Sequence, residues 1–309
     1  MSLQGITDQL RDRRISSVIV HQGSSVAVEW HDRGEDAVMP LYSCTKSVLS
    51  ALIGIAIARG ELPGTDEPLR TFFDKAIVGG KEGWQDVTVK QLLTMTPGFD
   101  WPDFDKPYKA LRRANDPVAF ALEQPMAHTP GSAFTYNSGG SHLLSAILTE
   151  VSGMSALRYA KRHLFEPLGF RAAKWTERNG VSEGGTGLSL LGHDLVKFGT
   201  LYLNQGLWNG EQLLPKAWVV ESTAMRHRAL LLYDPPIYGG YGYHWWCSPA
   251  EQNGLSDCYF AFGHGGQYLM IIPALEAVIM VRKQITKRND AIQSRDLIFN
   301  WIVPMILQK

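Results

Sequence analysis

Residues 43–60 have the sequence SCTKSVLSALIGIAIARG, in which a short polar start is followed by an almost unbroken apolar run. Apolar side chains occupy nearly every face of the implied helix, which predicts a helix over 44–59 buried in the middle of the fold. Gly60 supplies the stop signal. The apolar part, about eleven residues from Val48 to Ala58, is too short to cross a bilayer, which needs about 20.

The polar start of this helix carries a serine and a lysine three positions apart, Ser43 and Lys46. Residues at this spacing share one helix face, so the amine can reach the hydroxyl. A nucleophilic serine needs a neighbouring base, and a lysine serves when desolvation or a nearby cation lowers its pKa. The alternative is a helix cap followed by a solvated lysine. A lysine on an otherwise apolar helix must, however, be paired or functional.

A second polar segment, residues 134–140, has the sequence FTYNSGG and is predicted to be a loop before a helix that starts near His142. Tyr136 there is a candidate proton shuttle if an ammonium group stabilises its phenolate. Ser138 is a candidate to hold the lysine or the substrate by hydrogen bonds. The alternative is a turn in which the glycines supply unusual dihedral angles and Tyr136 packs.

A third segment, Gly263-His264-Gly265-Gly266-Gln267, lies between two predicted strands. Glycine inside a strand pattern often marks a close approach of backbone to ligand. We expect an edge strand here to offer the N–H of Gln267 to a substrate oxygen, with His264 facing the cleft. The alternative is a β-hairpin or bulge with a half-exposed histidine.

Strand patterns lie at both ends of the chain and short helical patterns lie between them. Residues 17–30 resemble a hairpin with its turn at Gln22-Gly23, and aromatic and β-branched runs at 241–247, 258–262, 268–272 and 277–282 indicate an antiparallel meander. A last helix is predicted from about Asp290 to Leu307. We therefore predict a single α+β domain over 1–309. Its antiparallel sheet comes from both chain ends and is flanked by helices (about 1–60 and 190–309), with an inserted all-helical lobe (about 61–189).

Composition excludes several classes of function. The chain has 309 residues with Lys+Arg 30 and Asp+Glu 30, a net charge of zero, which argues against a nucleic-acid partner. The first 30 residues contain no apolar stretch of signal-peptide length, so a cytoplasmic location and no membrane partner are expected. Three cysteines without CxxC spacing indicate neither zinc nor a disulfide scaffold. No metalloprotease, Walker A or dinucleotide motif occurs, so no metal or cofactor is expected.

Taken together and in this order, the three segments resemble the motifs of the serine β-lactamase and penicillin-binding protein superfamily. The likeness is greater to the branch of class C β-lactamases, D-alanyl-D-alanine carboxypeptidases and esterases. Two further segments, 87–98 and 164–170, are similar to that branch and extend the resemblance over about residues 17–301. The resemblance implies a β-lactamase/transpeptidase-like fold, with the active site between the two lobes.

The resemblance also implies roles by position. Ser43 would be the acylated nucleophile, Lys46 its amine partner and Tyr136 the acid/base that helps to protonate the leaving group. Backbone N–H groups of Ser43 and Gln267 would form the oxyanion hole. Four residues of the second and third motifs would bind the substrate: Ser138, His264, Gly265 and Gly266.

Two departures from the family pattern bear on the substrate. Ser138 stands where asparagine is usual and offers no amide, and His264 stands where lysine is usual and carries a pH-dependent charge. Both changes favour esterases and amidases, including the 6-aminohexanoate-dimer hydrolase type. We expect a serine hydrolase that cleaves a small ester or amide through an acyl-serine. The alternatives are a β-lactamase or D-amino-acid peptidase (DD-carboxypeptidase), and a catalytically silent binding protein of the same fold.

Overall fold

The structure, a computed structural model, describes residues 3–74, 83–102, 106–228, 239–285 and 291–307. Its helices are α1 (Leu3–Asp12), α2 (Thr45–Ala58), α3 (Val89–Leu93), α4 (Tyr108–Leu111), α5 (Pro117–Leu122), α6 (Ser138–Ser152), α7 (Ala156–Ala160), α8 (Gly192–Leu203), α9 (Lys216–Thr223), α10 (Ala250–Asn253), α11 (Ala291–Leu297) and α12 (Val303–Leu307). Its strands are β1 (Ile15–Gln22), β2 (Ser25–His31), β3 (Met39–Pro40), β4 (Ala173–Trp175), β5 (Glu177–Arg178), β6 (Val181–Ser182), β7 (Leu188–Leu190), β8 (Leu207–Trp208), β9 (Glu211–Gln212), β10 (Gly240–Tyr241), β11 (Trp246–Ser248), β12 (Cys258–Gly263), β13 (Gln267–Ile272) and β14 (Ala277–Lys283).

One seven-stranded antiparallel sheet joins the two ends of the chain, in the order β10-β11-β12-β13-β14-β1-β2. In β1, Val18 pairs with Val281 of β14 on one side and with Trp30 of β2 on the other. Every residue of β13 and β14 is buried, because helices cover both faces of the sheet. The prediction that the N-terminal hairpin shares a sheet with the C-terminal meander is confirmed.

Helix α2 lies inside the larger of two apolar clusters, between the sheet and the helices of the inserted segment. All but two of its fourteen residues are buried, as the unbroken apolar run predicts. Gly60 ends the run with φ 72°, a left-handed conformation that glycine adopts at little cost. The central helix therefore provides a fixed frame for whatever its first turn carries.

The inserted segment differs in one respect from the predicted all-helical lobe. It contains α3 to α7, but its C-terminal part also forms the short strands β4, β5, β6 and β7. Asn179 and Gly180 join β5 to β6 with φ 52° and 78°, the two positive values that a two-residue hairpin turn of this kind requires. Strand β7 pairs with β3 and β4 in a small sheet of its own.

The predicted strand 241–247 is in fact a hairpin. Gly240 and Tyr241 form β10, Trp246 begins β11, and the turn between them contains His244 with φ 60°. The sequence pattern missed the turn because aromatic residues fill both strands and the turn alike. The other strands of the meander are confirmed to within a residue or two.

The predicted last helix is present as α11 and α12, joined by a π-helical turn at Ile298–Ile302; its expected first residue, Asp290, lies outside the described residues. Within the described ranges, no helix combines the length and the hydropathy that crossing a membrane requires.

Candidate active site

Ser43 lies at the entrance to α2, in the 3-10 turn Tyr42–Cys44. The backbone N–H of Leu41 donates to the carbonyl of Leu188 (2.8 Å), and the N–H of Leu188 donates to Thr45 Oγ1 (3.3 Å), so β7 anchors the chain on both sides of the serine. Tyr42 has φ 49°, which is strained for a bulky side chain and is typical of residues held in place at functional sites. Ser43 itself is partly exposed.

Lys46, one turn later, is 1% exposed. Its Nζ lies 3.2 Å from Ser43 Oγ, 2.9 Å from Ser138 Oγ and 2.8 Å from the carbonyl oxygen of Gly185. The predicted contact between amine and nucleophile is therefore present. The alternative of a solvated lysine is wrong, because this amine is buried and hydrogen-bonded.

Ser138 is the first residue of α6 rather than part of a loop, because the helix begins four residues before the predicted start at His142. Asn137 caps it, with its Oδ1 accepting from the N–H of Gly140 (2.7 Å). Ser138 is fully buried and its hydroxyl faces the lysine. Of the two roles considered for Ser138, this placement favours holding the lysine over contacting the substrate.

Tyr136 precedes this cap and brings its ring beside the amine, with Lys46 Nζ 4.8 Å from the ring centroid. The ring is stacked on Trp246, at a centroid distance of 5.8 Å and an interplanar angle of 16°, and has an edge contact with Tyr241. Two strands of the sheet therefore position the phenol, while α6 positions Ser138. Ser43, Lys46, Tyr136 and Ser138 meet at one place, as predicted.

Gly185 was missed by sequence reasoning, although its carbonyl is one of the three partners of Lys46. A Cβ at Gly185 would lie 2.7 Å from Ser138 Cβ, and one at Gly184 would lie 2.0 Å from the carbonyl oxygen of Ser141. This glycine pair lets the chain before β7 approach the start of α6. The sequence signal was the Gly184-Gly185 pair itself, since adjacent glycines often mark close approach of backbone.

His244 was also missed. Its Nδ1 lies 3.2 Å from the carbonyl oxygen of Lys46, its Nε2 lies 3.3 Å from Ser141 Oγ, and its own carbonyl accepts from Ser47 Oγ (2.7 Å). The imidazole thus bridges the first turns of α2 and α6. Burial, and secondarily the charge of Lys46, lower the pKa of His244 to about 3, so the ring is neutral at neutral pH. No local pattern marks this residue, because its partners are distant in sequence.

The third motif forms the turn between β12 and β13. Gly265 and Gly266 have φ 77° and 96°, and a Cβ on them would meet Ile285 and Ser294, so their glycine character serves the turn and its packing. His264 is exposed, with its ring 5.9 Å from that of Tyr42 in an edge-on contact. His264 therefore lies beside Tyr42, the residue before Ser43, and its predicted role in substrate binding stays a prediction.

Gln267 begins β13, which pairs with β12 and β14; the prediction of an edge strand is therefore wrong, because the meander continues on both sides. Its side chain turns to the neighbouring strand, donating to the carbonyl of Lys283 (2.9 Å) and accepting from the Lys283 N–H (3.1 Å). Its carbonyl accepts weakly from Cys44 Sγ at 3.7 Å, which places the Gln267 backbone next to the turn that holds Ser43.

Cys44 is the other nucleophilic side chain of this turn. It is buried, and burial raises the pKa of its thiol well above the usual range. The thiolate is the reactive form of cysteine, so this burial disfavours Cys44 as a nucleophile. Its neighbour Ser43, which is partly exposed and touches an amine, is the nucleophile candidate of this turn.

Comparison with known proteins finds relatives of this chain by sequence and by fold. The chain is 23% identical over 300 residues to a 6-aminohexanoate-dimer hydrolase from Paenarthrobacter ureafaciens, covering 90% of this chain and 74% of the relative. Among solved structures it is similar to a Bacillus anthracis protein proposed to be a 6-aminohexanoate-dimer hydrolase (TM-score 0.79, 18% identity, 98% of this chain and 81% of the other). It is also similar to a D-stereospecific amidohydrolase from a Streptomyces species (TM-score 0.73, 15% identity, 96% and 97%).

The family model described as Beta-lactamase matches residues 4–298, which is nearly the whole chain. The match spans all three motifs and both lobes. The relatives of this chain by sequence and by structure also include EstCE1, described as a hydrolase with promiscuous acyltransferase activity. This chain is therefore a hydrolase that belongs to the β-lactamase family.

Proposed function

We propose that this protein cleaves a small amide or ester by acyl transfer through Ser43, with Lys46 as the base and Tyr136 as the acid/base for the leaving group. The observation that carries the proposal is the buried amine of Lys46, shared between the hydroxyl of Ser43, the hydroxyl of Ser138 and the carbonyl of Gly185. That arrangement is the Ser–Lys variant of the nucleophile–base–orienter pattern.

The hydrogen bonds of Lys46 to Gly185, Ser138 and Ser43 indicate how a neutral amine would be oriented there. A carbonyl can only accept, so one N–H points to Gly185, and the second N–H is satisfied by Ser138 Oγ. The nitrogen lone pair then faces Ser43 at 3.2 Å, within reach of the hydroxyl proton. Ser138 and Gly185 therefore act as positioning groups that aim the base at the nucleophile.

The proposed reaction has two halves. Ser43 Oγ bonds to the carbonyl carbon of the substrate as its proton moves to Lys46 Nζ. The oxyanion that forms is held by the N–H groups of Ser43 and Gln267. As the scissile bond breaks, the leaving amine or alcohol takes a proton from the Tyr136 hydroxyl, which regains one from Lys46. A water molecule then attacks the acyl-serine with the same groups in reversed roles, releasing the acid.

The proposed substrate is a small acyl compound without a strict requirement for an anionic group. His264 stands at the rim where lysine is usual in the family, and it is exposed. The names of the relatives, a 6-aminohexanoate-dimer hydrolase and a D-stereospecific amidohydrolase, support an amide of a small amino acid as the natural class.

The test is acylation followed by intact-mass measurement. The protein is incubated with p-nitrophenyl esters, a linear 6-aminohexanoate dimer, D-amino-acid amides, D-alanyl peptides and nitrocefin, and product release and adduct mass are recorded. We expect turnover of esters and amides and an adduct that maps to Ser43. Ser43→Ala should lower turnover by about 10⁴-fold or more, as for other removed nucleophiles.

The matched control is Ser24→Ala, which changes an exposed serine in the turn between β1 and β2. It should leave turnover unchanged. Retained activity in Ser43→Ala would move the nucleophile elsewhere. Preferential turnover of nitrocefin or D-alanyl peptides would assign the chain to the β-lactamase or carboxypeptidase activity. No adduct with any probe would support a silent binding protein.

A further inference from the structure

A cluster of three side chains lies where the hairpin edge of the sheet meets the start of α8. Glu29 and His31 are two positions apart on β2 and therefore point to the same face of the sheet. His193 is the second residue of α8 and reaches the same place. The catalytic motifs lie elsewhere, on α2, α6 and the turn between β12 and β13, whereas β2 is the outermost strand at the opposite edge from β10.

The three ligand-capable atoms converge. Glu29 Oε1 lies 3.0 Å from His31 Nε2 and 2.8 Å from His193 Nε2, and the set of donor atoms lies within 4.8 Å. Zinc bound at about 2.0–2.2 Å from nitrogen and oxygen ligands in a tetrahedron separates neighbouring ligand atoms by about 3.3 Å. The distances from Glu29 Oε1 to the two imidazoles are a few tenths of an ångström shorter than this spacing. The donor nitrogens of the two histidines, which lie within 4.8 Å of each other, would also adjust to it when the ion binds.

Hydrogen bonds from neighbouring residues fix the backbone that carries His193. Asp36 accepts from the backbone N–H groups of Gly192 and His193, both at 2.9 Å, which fixes the start of α8. The buried Arg282 donates to the same carboxylate at 2.6 Å and ties it to β14. The side chain of His31 is 8% exposed and therefore packed among its neighbours, while the side chain of Glu29 is 40% exposed, so solvent reaches the cluster from the side of Glu29.

We propose that Glu29, His31 and His193 form a binding site for a divalent transition metal ion of the zinc class. Two imidazoles and one carboxylate are a zinc-type ligand set, whereas calcium and magnesium prefer oxygen ligands throughout. The partly exposed side of the cluster leaves a fourth position for water. The ion would link β2 of the edge hairpin to α8 and so stabilise the fold. The proposed acyl transfer does not depend on it.

Local motif searches do not find such a site, because His193 is 162 positions from His31 in the chain. The cysteine spacing indicates no zinc site made of cysteines, but it does not bear on histidine ligands. The alternative is a cluster without a metal ion, in which the Glu29 carboxylate oxygen accepts hydrogen bonds from an N–H group of each imidazole. Metal titration separates these two states directly.

The test is a titration of the chelator-treated full-length protein with Zn²⁺ in competition with a chromophoric chelator, with Co²⁺ absorption as a spectroscopic readout. We expect one equivalent bound, the intense visible bands of tetrahedral Co²⁺, and a rise in Tm that EDTA reverses. His193→Ala and Glu29→Gln should each weaken Zn²⁺ binding by about 100-fold or more, as loss of a ligand costs at least as much as loss of an outer partner.

The control is His128→Ala, an exposed histidine outside the cluster, which should bind Zn²⁺ as the unchanged protein does. Each variant is first checked for an unchanged far-UV spectrum, and His193→Gln replaces His193→Ala if the latter fails to fold. Equal Zn²⁺ affinity in the unchanged protein and in both cluster variants would overturn the proposal. So would a protein that binds no equivalent of Zn²⁺ below millimolar concentration.

Discussion

Ser43 lies between a buried polar group, the amine of Lys46, and an exposed one, the imidazole of His264, and the two differ in how many hydrogen bonds and packing contacts fix their position. On one side Lys46 is 1% exposed and donates hydrogen bonds to Ser43 in the turn before α2, to Ser138 on α6 and to Gly185 in the chain before β7. On the other side His264 is exposed on a glycine turn and has an edge contact with Tyr42. In the proposed reaction the buried side would carry out the proton transfers that every substrate shares, since such steps need a geometry that is fixed in a low-dielectric environment. The exposed side is free to vary with the substrate.

Among the groups on the two sides of Ser43, the largest effect should come from removing the amine of Lys46. Lys46→Ala should lower the acylation rate by about 10³- to 10⁴-fold while the ester still binds, because the base is lost and the rest of the site remains. Single-turnover kinetics with a p-nitrophenyl ester measures this. A loss of acylation rate of less than about tenfold would mean that Lys46 is not the base for Ser43.

The next test separates positioning from chemistry. His244→Asn keeps a residue that tolerates the positive φ but removes the bridge from Lys46 O to Ser141. We expect kcat to fall about 10- to 100-fold, with KM changed much less. The reason is that the substitution disturbs the orientation of Lys46 but leaves the contacts of the substrate in place. A change confined to KM would contradict a positioning role.

His244 should also make stability depend on pH. Its pKa is lowered to about 3 by burial, so between about pH 6.5 and pH 3 the unfolded chain binds a proton that the native protein does not. The free energy of unfolding should therefore decrease as the pH falls through this window. In urea unfolding between pH 4 and 6, His244→Asn should reduce the slope by about 1.4 kcal/mol per pH unit.

The matched control for this pH experiment is His128→Ala, because an exposed imidazole loses little hydration on folding. The control should keep the slope of the unchanged protein. An unchanged slope in His244→Asn would show that the native state accommodates a charged ring at this position.

The smallest effect is expected on the exposed side. His264→Ala should change kcat less than about threefold and raise KM less than about tenfold for a substrate with a carboxylate, since exposed ion pairs contribute about 1 kcal/mol or less. An ester without a carboxylate is the matched control and should show no change. A large loss of kcat for both substrates would place His264 among the groups that take part in the chemistry.

Much of this site could be predicted from local sequence. Ser43 and Lys46 share a helix face by their spacing alone, and the resemblance of the three motifs to a family brought Tyr136, Ser138 and His264 to the same place. The start of α6 was harder to predict from the sequence. Asn137 is a good helix cap, but the two glycines that follow Ser138 are typical of a loop.

The sequence by itself determined the central buried helix, the strands at both chain ends and the motifs, because these depend on the periodicity and chemistry of neighbouring residues. Tertiary structure alone brought Gly185, His244 and the cluster around Glu29 to their partners, 139, 198 and 164 positions away along the chain. The physical reason is that a hydrogen bond between distant segments leaves no periodic trace in either of them. Its geometry exists only once the apolar core has brought the segments together.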